Sequence, residues 1–379
     1  MLDFETLRLI WWGILVFLVC GFAVLDGFDL GIGILLPFVG KTDDERRVIL
    51  NTVGPTWEGS QTWLITLGGI SFGAWSIVYA AFFSGLYTGL LVLLFALFLR
   101  PVGFDYRSKL PNPRWRNAWD WALFIGGLVP ATVLSLAAGN LIMGLPFQLT
   151  NELRSVYSGG FWDLFHPFPL LCAVTGVALF TLHGAVFLHW RTEGALAERA
   201  LRVIRWSSPL FAAGFVLAGI WVGLDMDGYR IVSPIDTSIA ANPLAKTVIK
   251  APGLWLNNYR LFPWLAAAPI VVLAGSWLVV KCSGGSRHGA AFAVSSLMTI
   301  GAIVTAGGSM FPFIMPSSTH PYSSLTVWDA SSSQYTLQLL LAATVALMPI
   351  VLVYTIWVYR VLRGKVTVEH IRGNEHTLY

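Results

Sequence analysis

Three acids, Asp26, Asp29 and Glu58, stand inside apolar stretches of the chain. A charge in hydrocarbon costs a contested ~2.5 to 17 kcal/mol, so such residues are rare and usually functional. Asp26 and Asp29 are three residues apart and project from one face of a helix. At about 1.5 Å per residue, Asp29 lies roughly 18 Å along the helix from Lys41, and Glu58 roughly 16 Å from Arg47. A short loop between them makes two antiparallel helices, with Asp29 and Glu58 at similar depth. Two carboxyls at one depth suit a proton relay, because each can accept and pass on a proton. Two other readings stay open: a buried structural polar cluster, or an ion or substrate site. Residues 51–63 are only moderately apolar, so a wet re-entrant segment around Glu58 is a further option.

Other polar residues adjoin this hairpin. Arg100 and Asp105, in RPVGFDYRSK, stand at the cytoplasmic end of the third span. Arg100 there either snorkels to the interface or stands with Asp105 at the mouth of the acidic path. Gly27 and Gly31 form a GxxxG with Gly33 nearby, a spacing that lets helices approach closely. No two histidines lie deep in facing spans at one level, as a haem with two His ligands needs. Of the seven, only His183 is placed within the bilayer, and a lone helical His reads as a packed polar residue. His166 and His320 fall near the outer surface, His189 near the inner end of span five, and His288, His370 and His376 on the cytoplasmic side.

These residues need a membrane scaffold to place them. Of 379 residues, 56% are hydrophobic and 12% charged; a soluble domain is about 25% charged. Hydropathy places spans at about 9–39, 50–74, 77–99, 119–143, 166–189, 206–226, 262–281, 289–312 and 336–359. The stretch 51–99 could hold one span or two. Lys and Arg concentrate in cytoplasmic loops, and two spans there put both flanking basic segments on one side. The result is an all-α integral membrane protein of about nine transmembrane helices, forming a single polytopic domain over residues 1–379. Its N-terminus is periplasmic and its C-terminus cytoplasmic, with 18 of the 24 Lys and Arg inside.

The first apolar run continues to about Val39 without a cleavage site and reads as a retained span. The external loop at 227–261 reads as ordered. Pro312 and Pro316 interrupt the outer end of span eight, and Asp329 with the following serines reads as a helix cap before span nine. Cys20, Cys172 and Cys282 build no disulfide framework or metal motif. No nucleotide-binding, nucleophile-elbow or zinc-protease motif is present, and the net charge of +4 lies in short loops, which argues against nucleic acid.

A series of motifs in order resembles subunit II of cytochrome bd quinol oxidase: DGFDLGIG from Asp26, TWEGSQTWLI from Thr56, RPVGFDYRSK from Arg100, RWRNAWDW from Arg114, GNLIMGLPF from Gly139, FPFIMPSS from Phe311, WDASSSQ from Trp328, and the C-terminal NEHTLY. The resemblance implies a subunit of a bacterial inner-membrane complex that reduces O2 to water with electrons from quinol. Subunit I would ligate heme b and heme d, leaving no metal site on this chain. Subunit II would stabilise the haem cluster and contribute a cytoplasmic proton path, onto which Asp26, Asp29 and Glu58 fall. Relatives commonly carry Asp at the Glu58 position, so the relay geometry differs there by about one carbon. The resemblance leaves room for small accessory subunits and for a bound quinone or membrane lipid. The competing class is a proton-coupled secondary transporter with a midplane carboxylate site.

Overall fold

Helix α1 (Phe4–Val39) has 36 residues, about 54 Å at the usual helical rise against a hydrocarbon core of about 30 Å. It begins ahead of the apolar run because Asp3 caps it, accepting from the backbone N–H of Thr6 at 2.7 Å. The computed structural model describes residues 2–373; NEHTLY with His376, and the side chain of His370, lie outside the described residues.

Where a short loop is expected, the chain builds helix α2 (Asp43–Val53). Thr42 and Glu45 cap its start reciprocally, satisfying two otherwise unpaired N–H groups. The acids of its first turn suit the positive helix end, and Val48, Ile49, Leu50 and Val53 are buried. Gly54 and Pro55 separate it from α3 (Trp57–Ala74). The expected span at 50–74 therefore starts at 57. Glu58 stands in its first turn, not 16 Å down a helix that begins at Arg47. Helix α3 runs antiparallel to α1. Its start approaches Asp29 through Ser60, Trp63 covers Gly21, and Ala74 packs with Leu7 and Trp11.

Trp75 breaks the helix with φ −138° and ψ 67°, and the ten-residue α4 (Ser76–Gly85) follows. Next comes α5 (Tyr87–Arg107). The span expected at 77–99 is thus two helices, and the second continues through Arg100 to Arg107. After it come α6 (Pro113–Met143), α7 (Pro167–Arg191) and α8 (Gly194–Leu224). The later helices are α9 (Asn257–Leu261), α10 (Ala267–Ser283), α11 (His288–Met310), α12 (Gln334–Val361) and α13 (Val368–Gly373).

Three antiparallel strand pairs order the loops at the end where the N-terminus lies: β1 (Phe147–Leu149) with β2 (Ser155–Tyr157), β3 (Asp227–Ile231) with β4 (Val248–Pro252), and β5 (Phe313–Met315) with β6 (Leu325–Thr326). Tyr229 stands opposite Lys250 in the second pair, which orders the 227–261 loop. Arg8 is tied into this layer through Ser331 Oγ at 2.8 Å and the Thr237 carbonyl at 2.7 Å. Asp329 does not cap α12. Ser333 does, at 3.2 Å from Thr336 N, while Asp329 pairs with buried Lys246 at 2.8 Å.

Eight helices among the described residues are long and apolar enough to cross a membrane. The ninth expected span, α3, lies beside α1 but carries Glu58, Ser60, Gln61, Thr62 and Thr66, and does not reach that apolarity. Close backbone contact sets the centre of the bundle. A Cβ on Gly31 would stand 2.0 Å from the Phe180 carbonyl oxygen, and one on Gly184 would stand 2.6 Å from the Gly31 carbonyl carbon. The GxxxG spacing thus serves packing of α1 on α7. Helix α12 lies outermost, with Leu339, Val345, Leu347, Ile350, Val353 and Trp357 exposed.

Candidate functional site

Helices α1 and α5 meet at an ion cluster inside the bundle. Arg100 donates from Nη1 to Asp26 Oδ2 at 2.9 Å and from Nη2 to Asp26 Oδ1 at 2.7 Å. Asp29 Oδ2 lies 3.9 Å from the same Nη2. All three side chains are at most 4% exposed. The paired, two-point geometry fixes both the Arg100 fork and the Asp26 carboxylate. Arg100 is therefore neither a snorkelling residue nor at a mouth: α5 runs on past it, and α6 makes room for it with Gly126. A Cβ on that glycine would stand 3.0 Å from Arg100 Cγ.

Asp29 is held differently. Neither of its oxygens accepts a hydrogen bond among the described residues. A cavity of ≈10 Å³ borders Asp29, Arg100, Phe104 and Gly127, which is about enough for one water. Ser60 Oγ approaches the carboxylate from α3 and lies 3.3 Å from the Tyr359 hydroxyl of α12. With Asp26 locked to Arg100, Asp29 is the acid of this cluster with unused acceptor capacity.

Glu58 does not face Asp29. Ser60 occupies that place, and Glu58, two residues and thus about 200° away around the helix, is exposed. Asp105 is exposed too. Their neighbours Trp57 and Phe104 stack, with ring centroids 5.3 Å apart. That stack brings the beginning of α3 beside the last turns of α5, so Glu58 and Asp105 flank it on the outer surface of the chain. The five expected residues thus form two groups: Asp26, Asp29 and Arg100 inside, Glu58 and Asp105 outside.

Near the helix ends opposite the strand pairs lies an ionic group that hydropathy did not single out. Arg107 Nε donates to buried Asp120 and its Nη2 donates to Asp43 at 2.9 Å. Arg46 reaches Asp120 at 2.7 Å, and Arg116 also bonds Asp43. These contacts tie α2, α5 and the start of α6 together beneath the ion cluster. Its signals are the DDERR and RWRNAWDW runs. Burial works against the Glu45 carboxylate, yet hydrogen bonds from Arg199 and from the backbone of Lys41 and Thr42 hold it below the usual carboxylate range.

His183 bridges helices. Its Nε2 donates to the Val24 carbonyl at 3.0 Å, and its Nδ1 lies 2.8 Å from Ser295 Oγ. Both ring nitrogens are engaged, which leaves neither for iron. The ring nitrogens of His189 are likewise engaged by the carbonyls of Ala197 and Ser283. These histidines do not fit a haem ligated by this chain.

The family described as "Cytochrome bd terminal oxidase subunit II" matches residues 7–362. The chain is 46% identical over all 379 residues, and over the full length of both chains, to cytochrome bd-I ubiquinol oxidase subunit 2 of Escherichia coli K12. It is 30% identical to cytochrome bd ubiquinol oxidase subunit 2 of Bacillus subtilis over 362 residues, 96% of this chain and 97% of that one. Its fold is that of a chain in the bd oxidase structure from Geobacillus thermodenitrificans, with TM-score 0.71 at 17% identity, covering 94% of this chain and 98% of the other. The transporter alternative gains no support, and the polytopic chain built around the Asp26–Arg100 pair belongs to the cytochrome bd terminal oxidase subunit II family.

Proposed function

We propose that this chain is the second subunit of a quinol:O2 oxidoreductase in a bacterial inner membrane, joined there by subunit I, which ligates heme b and heme d. The full-length similarity to the Escherichia coli subunit carries the reading. The bound haems supply electron transfer and O2 reduction. Two quinols and one O2 give two quinones and two waters, with four protons taken up and four released. Uptake from the cytoplasm and release outside generate a proton motive force without a pump.

This chain's part is to hold subunit I and to supply acids for proton uptake. The exposed faces of α3, α5 and α12 carry Ile65, Phe72, Phe95, Phe98, Val353 and Trp357, an apolar surface suited to a membrane partner. Glu58 and Asp105 sit on that exposed side, where a carboxyl can exchange protons at the subunit junction. Asp29 is the inner acid with unused acceptor capacity. Asp26 and Arg100 fix the field around it.

Turnover per heme d, measured with haem content on the assembled complex, tests the path. Gln and Asn keep the hydrogen-bonding shape but cannot exchange a proton as a carboxyl does. Glu58→Gln and Asp29→Asn should slow turnover, by up to roughly 100-fold, the low end of what a positioned acid or base contributes, while haem content stays normal. Full turnover in both variants removes the path from this chain. Loss of haem along with activity makes the acids assembly residues.

A further inference from the structure

A second, larger cavity of ≈450 Å³ opens between the middle of α1, at Leu25 and Phe28, the end of α2, the facing ends of α7, α11 and α12, and the segment after Val361. Its wall is apolar and aromatic, with Phe28, Phe187, Phe292 and Tyr359. Phe28 and Phe187 stack with centroids 4.1 Å apart. Its rim is cationic: Arg191 at the end of α7, and Arg363 and Lys365 just beyond α12. No acid lines it among the described residues. Arg191 Nε is buried with no hydrogen-bond partner among the described residues, and the guanidinium lies 5.9 Å from the Phe187 ring centroid. Lys365 shares its charge with Glu193 only loosely, at 3.8 Å and half exposed to solvent.

This combination selects its ligand. A free anion would satisfy the rim and leave the aromatic wall uncovered. A neutral amphiphile would cover the wall and leave Arg191 without a partner. An amphiphile with an anionic head does both. The rim of the cavity lies at the helix ends opposite the strand pairs, and its wall reaches inward to Phe28. In the orientation that the basic residues indicate, this is the headgroup level of the cytoplasmic leaflet. Basic pockets between transmembrane helices on that side bind acidic lipid heads.

We propose that this cavity is a binding site for an anionic phospholipid of the cytoplasmic leaflet, its phosphate against Arg191, Arg363 and Lys365 and its acyl chains along the aromatic wall. The placement in that leaflet rests on the topology and complex proposed above; the ligand chemistry rests on the cavity alone. A bound lipid there would cover Tyr359, whose hydroxyl lies 3.3 Å from Ser60 Oγ, and would brace α12 against α7.

Native mass spectrometry of the purified two-subunit complex tests this. Delipidated complex is exposed to vesicles of phosphatidylglycerol or of phosphatidylcholine, and retained lipid is counted. The wild type should retain phosphatidylglycerol preferentially. The Arg363→Gln, Lys365→Gln double variant, altered only at exposed positions, should lower that retention roughly 10- to 30-fold, given about 1 kcal/mol per basic residue near a lipid surface. Arg202→Gln, Arg205→Gln, an equal charge loss at exposed positions of α8, should leave it unchanged. Haem content and turnover, read on the same samples, separate failure of the lipid site from failure of the oxidase assignment. Equal retention of the two lipids, or no loss in the double variant, overturns the proposal. Displacement of the lipid by millimolar inorganic phosphate makes the site one for free anions and overturns it as well. A cavity covered by subunit I or by residues 374–379 would retain no lipid in the wild type, and the proposal would fall on that result too.

Discussion

Replacing Arg100 by Gln should damage the protein more than replacing either acid it serves. The guanidinium makes two bonds to Asp26, at 2.9 and 2.7 Å, and stands 3.9 Å from Asp29. Its removal leaves two carboxyls buried three residues apart with no cation. Stranding one partner of a buried pair costs about 3–5 kcal/mol, a factor of roughly 150 to 4000 in the folded ratio. Asp26→Asn should cost less, because Asp29 is close enough to become the counter-ion of Arg100. Adding Asp26→Asn to Arg100→Gln should recover part of the loss, with a coupling of about 1–3 kcal/mol between the sites. Detergent-driven unfolding of the complex, followed by Trp fluorescence, to which this chain contributes 17 Trp, measures all three variants. If Arg100→Gln costs under about 1 kcal/mol, or the two changes simply add, the pair is not a buried clamp.

Two further outcomes follow from packing and orientation. Gly184→Ala should destabilise by about 1–3 kcal/mol through overpacking, since the new methyl would stand 2.6 Å from the Gly31 carbonyl carbon, whereas Gly13→Ala, with nothing within 4 Å, should be neutral or slightly stabilising in the same unfolding assay. Reporters fused after Arg47 and after Lys109 should both read cytoplasmic; opposite readings would mean that α3, α4 and α5 do not form an out-and-back pair of crossings.

Composition and motif order were sufficient for the membrane class, most of the spans and the family. A run of about 20 apolar residues has few alternatives to a membrane helix, and motifs in series identify relatives without geometry. The acids were legible as unusual for the same reason: their cost in hydrocarbon is a property of the residue. Which acid meets which partner was not legible. Counting helical rise from Arg47 places Glu58 beside Asp29 because it runs one helix straight across the Gly54–Pro55 break; two residues of helix then put Ser60, not Glu58, on the inner face. Arg100 reads as an interfacial residue when a charge is taken to end a span. Only the meeting of α5 with α1, and the space left by Gly126, turns that charge into the partner of Asp26. Helix α2 likewise has too little apolar length to register as a span, and its capping box and buried face become visible only when the bundle is there to receive it. Sequence determines what each segment can tolerate around it. Pairing between residues 74 positions apart depends on helix phase and on interhelical contacts, and these exist only in the packed bundle.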